Sequence, residues 1–176
     1  MANGYDHVQY GFIHYIVALG GAGCFAAALL SGTDSLQFIT LIAAAGAMMA
    51  AGGCFVYLSV SDCGDSLSIR FGPLGLFGTS IRYDNMASAE VSRTTFLHGW
   101  GIHGIPFWSV TYNIRGYDCV RVTLTRQHGV FRFSCINIGT DDAAGLASFL
   151  SSKIASRVGS SVPNETGGSR SRCFLL

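Results

Sequence analysis

Histidine side chains in one glycine-rich stretch come closest, by type and spacing, to a reactive site. His98 and His103 flank Trp100 within residues 96–107, and His128 lies in a separate predicted turn. Two or three histidines can ligate zinc, but these lack helical i, i+4 spacing and a carboxylate partner. The sequence also contains no phosphate-binding loop with Lys, no G-x-S-x-G elbow and no H-E-x-x-H pair. We therefore predict no catalytic residue, cofactor or metal site, and we interpret the histidines as surface residues.

The same stretch is a candidate interaction surface, because aromatic rings with scattered cations suit a protein partner or a lipid headgroup. Glycines at 99, 101 and 104 give its backbone conformational freedom. Predicted strands flank it, as in a binding loop held by a rigid scaffold. The alternative is that the two tryptophans close one end of a β-barrel. The candidate residues are Arg93, His98, Trp100, His103, Phe107 and Trp108.

The six cysteines are scattered and form no CxxC motif. Cys119 and Cys135 fall in adjacent predicted strands, where we expect them to stay reduced in a cytoplasmic domain. The final residues, Cys-Phe-Leu-Leu from Cys173, resemble a prenylation box of the geranylgeranyl type. Prenylation needs a eukaryotic cytosol, and the sequence does not identify the organism. Two alternatives therefore remain: Cys173 is lipidated, or a cysteine occupies this position by chance.

Composition separates the chain into two halves. Charged residues make up only 12%, about half the roughly 25% of an ordinary soluble domain, and every Lys and Arg lies after position 60. A net charge of +1 excludes a general nucleic-acid binder. The high hydrophobic content, 49%, excludes disorder for most of the chain.

The first half contains two uncharged apolar runs, 10–30 and 36–60, each long enough to span a bilayer as a helix. The alternatives are a pair of helices buried in a soluble core and, for the first run only, a signal peptide. With five residues between them, the runs predict a tight antiparallel transmembrane hairpin over residues 1–60. Small residues at four-residue spacing favour close helix packing, within the hairpin or between subunits. These are Gly20, Cys24, Ala28, Gly46 and Ala50.

The positive-inside rule predicts the orientation of the hairpin. Since the only basic region is C-terminal, residues 61–176 and the N-terminus are expected on the cytoplasmic side of a plasma or inner membrane.

The second half alternates apolar and polar residues in short runs bounded by turn signals, which is typical of antiparallel strands in a meander or small barrel. Thr140 is a good helix N-cap, and Asp141 and Asp142 suit a first helical turn. The sequence thus predicts an α+β domain over 61–155 and a disordered tail over 156–176. It predicts six or seven strands, including 66–71, 79–83, 86–93, 108–115, 119–125 and 130–138.

Residues 99–150 resemble the bacterial pleckstrin-homology-like (bPH-type) domain, as found behind a transmembrane hairpin in small membrane proteins. The shared features are the GWGI loop, a tyrosine-containing strand ending in Gly116, a V-x-V-x-L strand, and an I-G-T-D-D helix start followed by Leu146 and Leu150. The resemblance implies a mainly-β PH-like barrel or sandwich of antiparallel strands, capped by one C-terminal helix. It carries no catalytic residues.

These features favour a membrane-anchored, non-enzymatic interaction or scaffold module. Residues 10–60 would anchor it in the lipid bilayer, and it would bind a protein partner or further copies of itself. One alternative is a reader of anionic-lipid or phosphoinositide headgroups, by analogy of fold. A remote alternative is a membrane enzyme using His98 or His103.

Overall fold

The computed structural model describes residues 4–33, 36–94, 101–105 and 108–160. Residues 158–160 are described by their backbone only. Two helices, α1 (Ile13–Leu30) and α2 (Leu36–Cys54), pack against each other near the N-terminus. Both are long and apolar enough to cross a membrane, and only 11% of each is buried inside the protein. This small buried share argues against helices of a soluble core, which would be mostly covered.

A strand that the sequence did not predict precedes the helices. β1 (Asp6–Tyr10) pairs antiparallel with β2 (Tyr57–Asp62), so that Tyr10 lies opposite Tyr57. The two helices are therefore an insertion into a β-hairpin, and both ends of the helix pair return to the same sheet. Residues 6–10 belong to the β-domain, which corrects the predicted N-terminal tail.

The predicted second helix was also too long, since α2 ends at Cys54 rather than at residue 60. Residues 55–60 are uncharged for a different reason: Leu58 and Val60 are only 1% and 2% exposed in the core of the β-domain. An uncharged run does not distinguish a membrane helix from the buried strand that follows it.

Gly11 couples the helices tightly to the sheet. Its N–H donates a hydrogen bond to the carbonyl of Val56 at 3.1 Å. A Cβ at this position would lie 2.4 Å from Cγ1 of Ile114, so no larger residue fits without displacing the core. Only two residues separate the sheet from each helix, and the β-domain therefore sits directly on the end of the helix pair.

The first sheet has four strands in the order β1-β2-β3-β4, with β3 at Ser66–Phe71 and β4 at Phe77–Arg82. The alternation predicted for 66–71 is confirmed, because Leu67, Ile69 and Phe71 are all fully buried. The prediction for 79–83 was displaced: β4 begins two residues earlier, at Phe77.

The second sheet has five strands: β5 (Met86–Arg93), β6 (Gly101–Ile105), β7 (Ser109–Asn113), β8 (Asp118–His128) and β9 (Phe133–Gly139). Their order is β5-β8-β9-β7-β6. The pair β7–β9 is parallel, which corrects the predicted antiparallel meander. Nine strands are found in the described residues, more than the six or seven predicted. The alternation of side chains identifies strands but does not indicate their neighbours.

The last element, α3 (Ala143–Ser160), begins after Asp142 rather than at Thr140. Asp142 Oδ1 accepts the Gly145 N–H at 3.1 Å and is the N-cap, whereas Thr140 Oγ1 accepts the Asp142 N–H. The helix continues to residue 160, into the predicted tail, and the rest of that tail, with Cys173, lies outside the described residues. Both sheets and α3 share one core, to which α3 contributes Leu146, Ala147 and Leu150. The α+β class is thus confirmed.

Small residues hold α1 against α2, but Gly46 and Ala50 do not lie in this contact, so for them only packing between subunits stays a prediction. The buried residues of the pair include Gly21, Ala45 and Gly52. A Cβ on Gly21 would lie 3.4 Å from the Ala45 carbonyl, and one on Gly46 would meet nothing within 4 Å. Of the predicted residues, Ala28 is buried, Gly20 and Cys24 are half-buried, and Gly46 and Ala50 are exposed.

A candidate apolar groove between the two sheets

The structure separates Arg93 from His103, two of the residues that the sequence grouped into one interaction surface. Arg93 and His103 lie on β5 and β6, the two edges of the five-stranded sheet. Four strand spacings place these edges about 19 Å apart. Glu90 and His103 lie in one cross-strand row and therefore point to the same face of the sheet. Arg93 is three residues from Glu90 along β5, so the side chain of Arg93 points to the opposite face. The three other candidates on this stretch, His98, Trp100 and Phe107, lie outside the described residues.

Trp108 does not close the barrel, because its side chain is 72% exposed. Its backbone is nevertheless fixed. The N–H donates to the Ile105 carbonyl, and its own carbonyl accepts the N–H groups of Ser134 and Cys135, each at 3.0 Å. An exposed indole on a fixed backbone is suited to binding, since little backbone entropy remains to be lost.

Arg93 is paired with Asp118 at the end of β8, with 3.1 Å between Nε and Oδ1. Both side chains are largely exposed, so this pair contributes little to stability. The pair also neutralises the charge that the sequence assigned to a binding role.

The outer face of the five-stranded sheet carries a polar row across all five strands. Arg121 Nε donates to Asn137 Oδ1 at 3.2 Å, and Asn137 Nδ2 donates to Thr111 Oγ1 at 3.1 Å. Glu90 and His103 end the row on the two edge strands. Asn137 and Thr111 are buried, and the hydrogen bond between them satisfies polar atoms of both side chains.

An apolar groove opens on the other side, between β4 of the first sheet and β6 of the second. Its volume is about 470 Å³. Its walls come from β4, β6, β7 and the hairpin that joins β8 to β9. The side chains that line it are Thr79, Ile102, Val110, Tyr112, His128, Val130, Phe131 and Phe133.

Two polar side chains of this groove are in contact. Thr79 Oγ1 lies 2.8 Å from His128 Nε2, and Tyr112 lines the same groove. Burial lowers the pKa of His128, which favours the neutral imidazole. Burial also raises the pKa of Tyr112, which favours the neutral phenol. The base of the groove is therefore uncharged, and it suits an apolar ligand with at most one or two polar atoms.

The rim of the groove exposes apolar side chains at the tip of the β8–β9 hairpin. Val130 is 93% exposed and Phe131 58%. Gly129 and Arg132 have positive φ angles of 75° and 54°, and the Arg132 N–H donates to the Gly129 carbonyl at 3.1 Å. This turn holds both apolar residues away from the core. Exposed apolar residues beside a groove are typical of an interaction site.

Cys119 and Cys135, the two cysteines of the five-stranded sheet, do not form a site. Cys119 lies opposite Gly139 and Cys135 opposite Thr123, so the two thiols are four residues apart in register and cannot form a disulfide without movement of the strands. Burial raises the pKa of both thiols, which leaves them protonated and unreactive. No group of three metal-ligating side chains is found in the part of the chain that the structure describes.

Comparison with protein-family models, with curated proteins and with solved structures finds no match for this chain. Its function therefore has to be argued from its own geometry.

The groove is not predictable from local pattern, because its residues come from four separate segments. His128 was noted only as a residue of a turn, although the pattern Gly-Val-Phe-Arg at 129–132 contains two apolar residues where a hairpin turn is usually polar. That local anomaly was the one available signal.

Proposed function

We propose that this protein is a membrane-anchored, non-enzymatic interaction module whose groove takes an apolar segment of a partner protein or of a second copy. The observation that carries the proposal is the open groove with Val130 and Phe131 exposed at its rim. The uncharged floor of the groove and its apolar rim bind apolar side chains through the hydrophobic effect.

Anchoring by the helix pair supports the proposal. At 1.5 Å per residue, the 19 residues of α2 extend about 28 Å, close to the roughly 30 Å of a bilayer's hydrocarbon core. Tyr10 and Tyr57, whose rings are 5.8 Å apart, lie at the sheet end of the helices, where tyrosines favour the membrane interface. Every lysine and arginine follows position 60, and we propose that the β-domain lies in the cytoplasm.

We also propose that the β-domain is PH-like. Two sheets and a C-terminal helix that covers their shared core support this proposal. The first strand precedes the membrane hairpin in the sequence, so the domain would be assembled from segments on both sides of the insertion.

The alternative, an anionic-headgroup reader, needs free cations that converge on one surface. Most cations of the described residues are paired, including Arg82 with Asp84 at 2.8 Å and Lys153 with Asp62 at 2.8 Å. The described arginines that have no carboxylate oxygen within 4 Å are distributed over both sheets and the β8–β9 hairpin. They are Arg70, Arg121, Arg126 and Arg132.

The proposal is tested by the mass of the full-length protein and its partner in mild detergent. We expect Phe131→Asp combined with Ile102→Asp to reduce the assembly to a single chain while circular dichroism stays unchanged. Val91→Asp, at an apolar residue that is 59% exposed on the far edge of the sheet, is the matched control and should assemble normally. A wild-type protein that is a monomer without any crosslinked partner would contradict the proposal.

A further inference from the structure

We propose that residues 72–77, which comprise the connection from β3 and the first residue of β4 and are called here the apolar loop, insert into the lipid interface beside the helix pair. The inference rests on the membrane anchoring proposed above. It adds a second contact with the bilayer, made by the β-domain itself.

The position of the apolar loop is fixed by its first residue. The Gly72 N–H donates to the Tyr57 carbonyl at 2.8 Å. A Cβ on Gly72 would lie 2.4 Å from the Cys54 carbonyl oxygen and 2.9 Å from that of Gly53. The φ of Gly72 is +61°, a conformation that favours glycine. The loop therefore starts in direct contact with the last turn of α2.

The length of α2 indicates how deep in the membrane this contact lies. Because its roughly 28 Å barely span the hydrocarbon core, Cys54 lies at the boundary between hydrocarbon and headgroups. A loop that touches the carbonyls of Gly53 and Cys54 lies at that same boundary.

The side chains of the apolar loop match this environment. Leu74 and Leu76 are 70% and 69% exposed, and Phe77 is 43% exposed. The Phe77 ring stacks on Phe55, with 5.4 Å between centroids, and Phe55 itself belongs to the two-residue connection from α2 to β2. The exposed leucines thus continue an apolar surface that begins at the helix end, which is the arrangement of an interfacial anchor.

Arg70 supplies the complementary charge. It is exposed, and its Cδ would lie 3.7 Å from a Cβ on Gly75 in the apolar loop. An arginine next to an inserted apolar segment can keep its stem against the acyl boundary while the guanidinium reaches phosphate groups. A protein partner in solution would not require the loop to lie at the end of a spanning helix.

The test uses an environment-sensitive fluorescent amino acid in full-length protein, reconstituted in nanodiscs with and without lipids brominated near the headgroup end of the acyl chain. With the probe in place of Leu74, we expect blue-shifted emission and at least about a twofold loss of intensity in brominated nanodiscs, since interfacial segments lie about 5–10 Å into the boundary. A probe in place of Leu76 repeats the measurement if the first variant does not fold.

Two control positions separate failure of this inference from failure of the proposed anchoring. Leu19, 75% exposed in the middle of α1, should show a membrane-embedded probe, and Val91 should show one in water. A responsive Leu19 with an unquenched Leu74 would overturn the insertion of the apolar loop alone. An unresponsive Leu19 would overturn the membrane anchor and the inference together. A blue shift at Leu74 without quenching would show that protein covers the loop, and would also overturn the inference.

Discussion

Asp62 accepts hydrogen bonds at the centre of the most buried ion pair in the described part of the chain. Lys153 Nζ, the Tyr83 hydroxyl and the Gly64 N–H each donate to its carboxylate at 2.8 Å. The Asp62 side chain is 7% exposed and that of Lys153 22%. Lys153 Nζ also lies 5.2 Å from the ring centroids of Tyr83 and Phe149, within the range of a cation–π interaction. The only lysine of the chain therefore fastens α3 to β2.

Asp62→Asn keeps the shape of the side chain and removes its charge. Breaking a buried ion pair by loss of one partner costs about 3–5 kcal/mol. Lys153 retains about a fifth of its exposure and can partly rehydrate, so we expect a loss of about 2–3 kcal/mol in the free energy of unfolding. For a β-domain of this size, that loss lowers Tm by about 10 °C.

The measurement is chemical and thermal unfolding of the full chain in nanodiscs, followed by near-ultraviolet circular dichroism. Asp65→Asn is the matched control, because Asp65 bonds Arg157 on the same helix but is 73% exposed. Its effect should be small. Adding Lys153→Met to Asp62→Asn should restore part of the stability, since no unpaired ammonium then remains. If Asp62→Asn is no more destabilising than Asp65→Asn, the buried pair does not hold α3.

Three further predictions follow from single positions. Burial raises the pKa of Asp62, but hydrogen bonds from its three donors outweigh burial and leave the pKa below its usual range. The stabilising effect of the Asp62 carboxylate is present above pH ~4 and is lost as the pH falls through the folded pKa. The decrease of Tm on acidification should therefore be smaller in Asp62→Asn than in the wild-type protein. Gly11→Ala should destabilise the β-domain by about 1–3 kcal/mol, because the added methyl overlaps Ile114; an unchanged unfolding midpoint in urea would contradict the close contact. Gly21→Leu should loosen the helix pair and Gly46→Leu should not, as measured by thermal loss of helical circular dichroism; equal effects would refute the observed packing face.

The sequence predicted those parts of the fold in which local pattern and burial agree. Leu67 and Ile69 alternate with polar residues and are buried, and the predicted strand 86–93 has the observed bounds. Local pattern was insufficient where two environments share one composition. Val60 is apolar because the β-core buries it, yet it extended an uncharged run that already met the length of a membrane helix.

The candidate site was less predictable, because it depends on which strands are neighbours. The groove brings Thr79 of β4 next to His128, 49 positions away, and no local pattern encodes that contact. The separation of Arg93 from His103 depends likewise on the order β5-β8-β9-β7-β6, in which β5 and β6 form opposite edges.

The most direct test of the account is photo-crosslinking from the groove rim in native membranes. A photoreactive amino acid replaces Phe131 in the full-length protein, and the same residue in place of Val91 is the control. We expect a discrete protein adduct, either a dimer of this chain or a complex with one partner, from position 131 and not from position 91. Only lipid adducts at position 131, or equal labelling at both positions, would contradict a groove that binds protein.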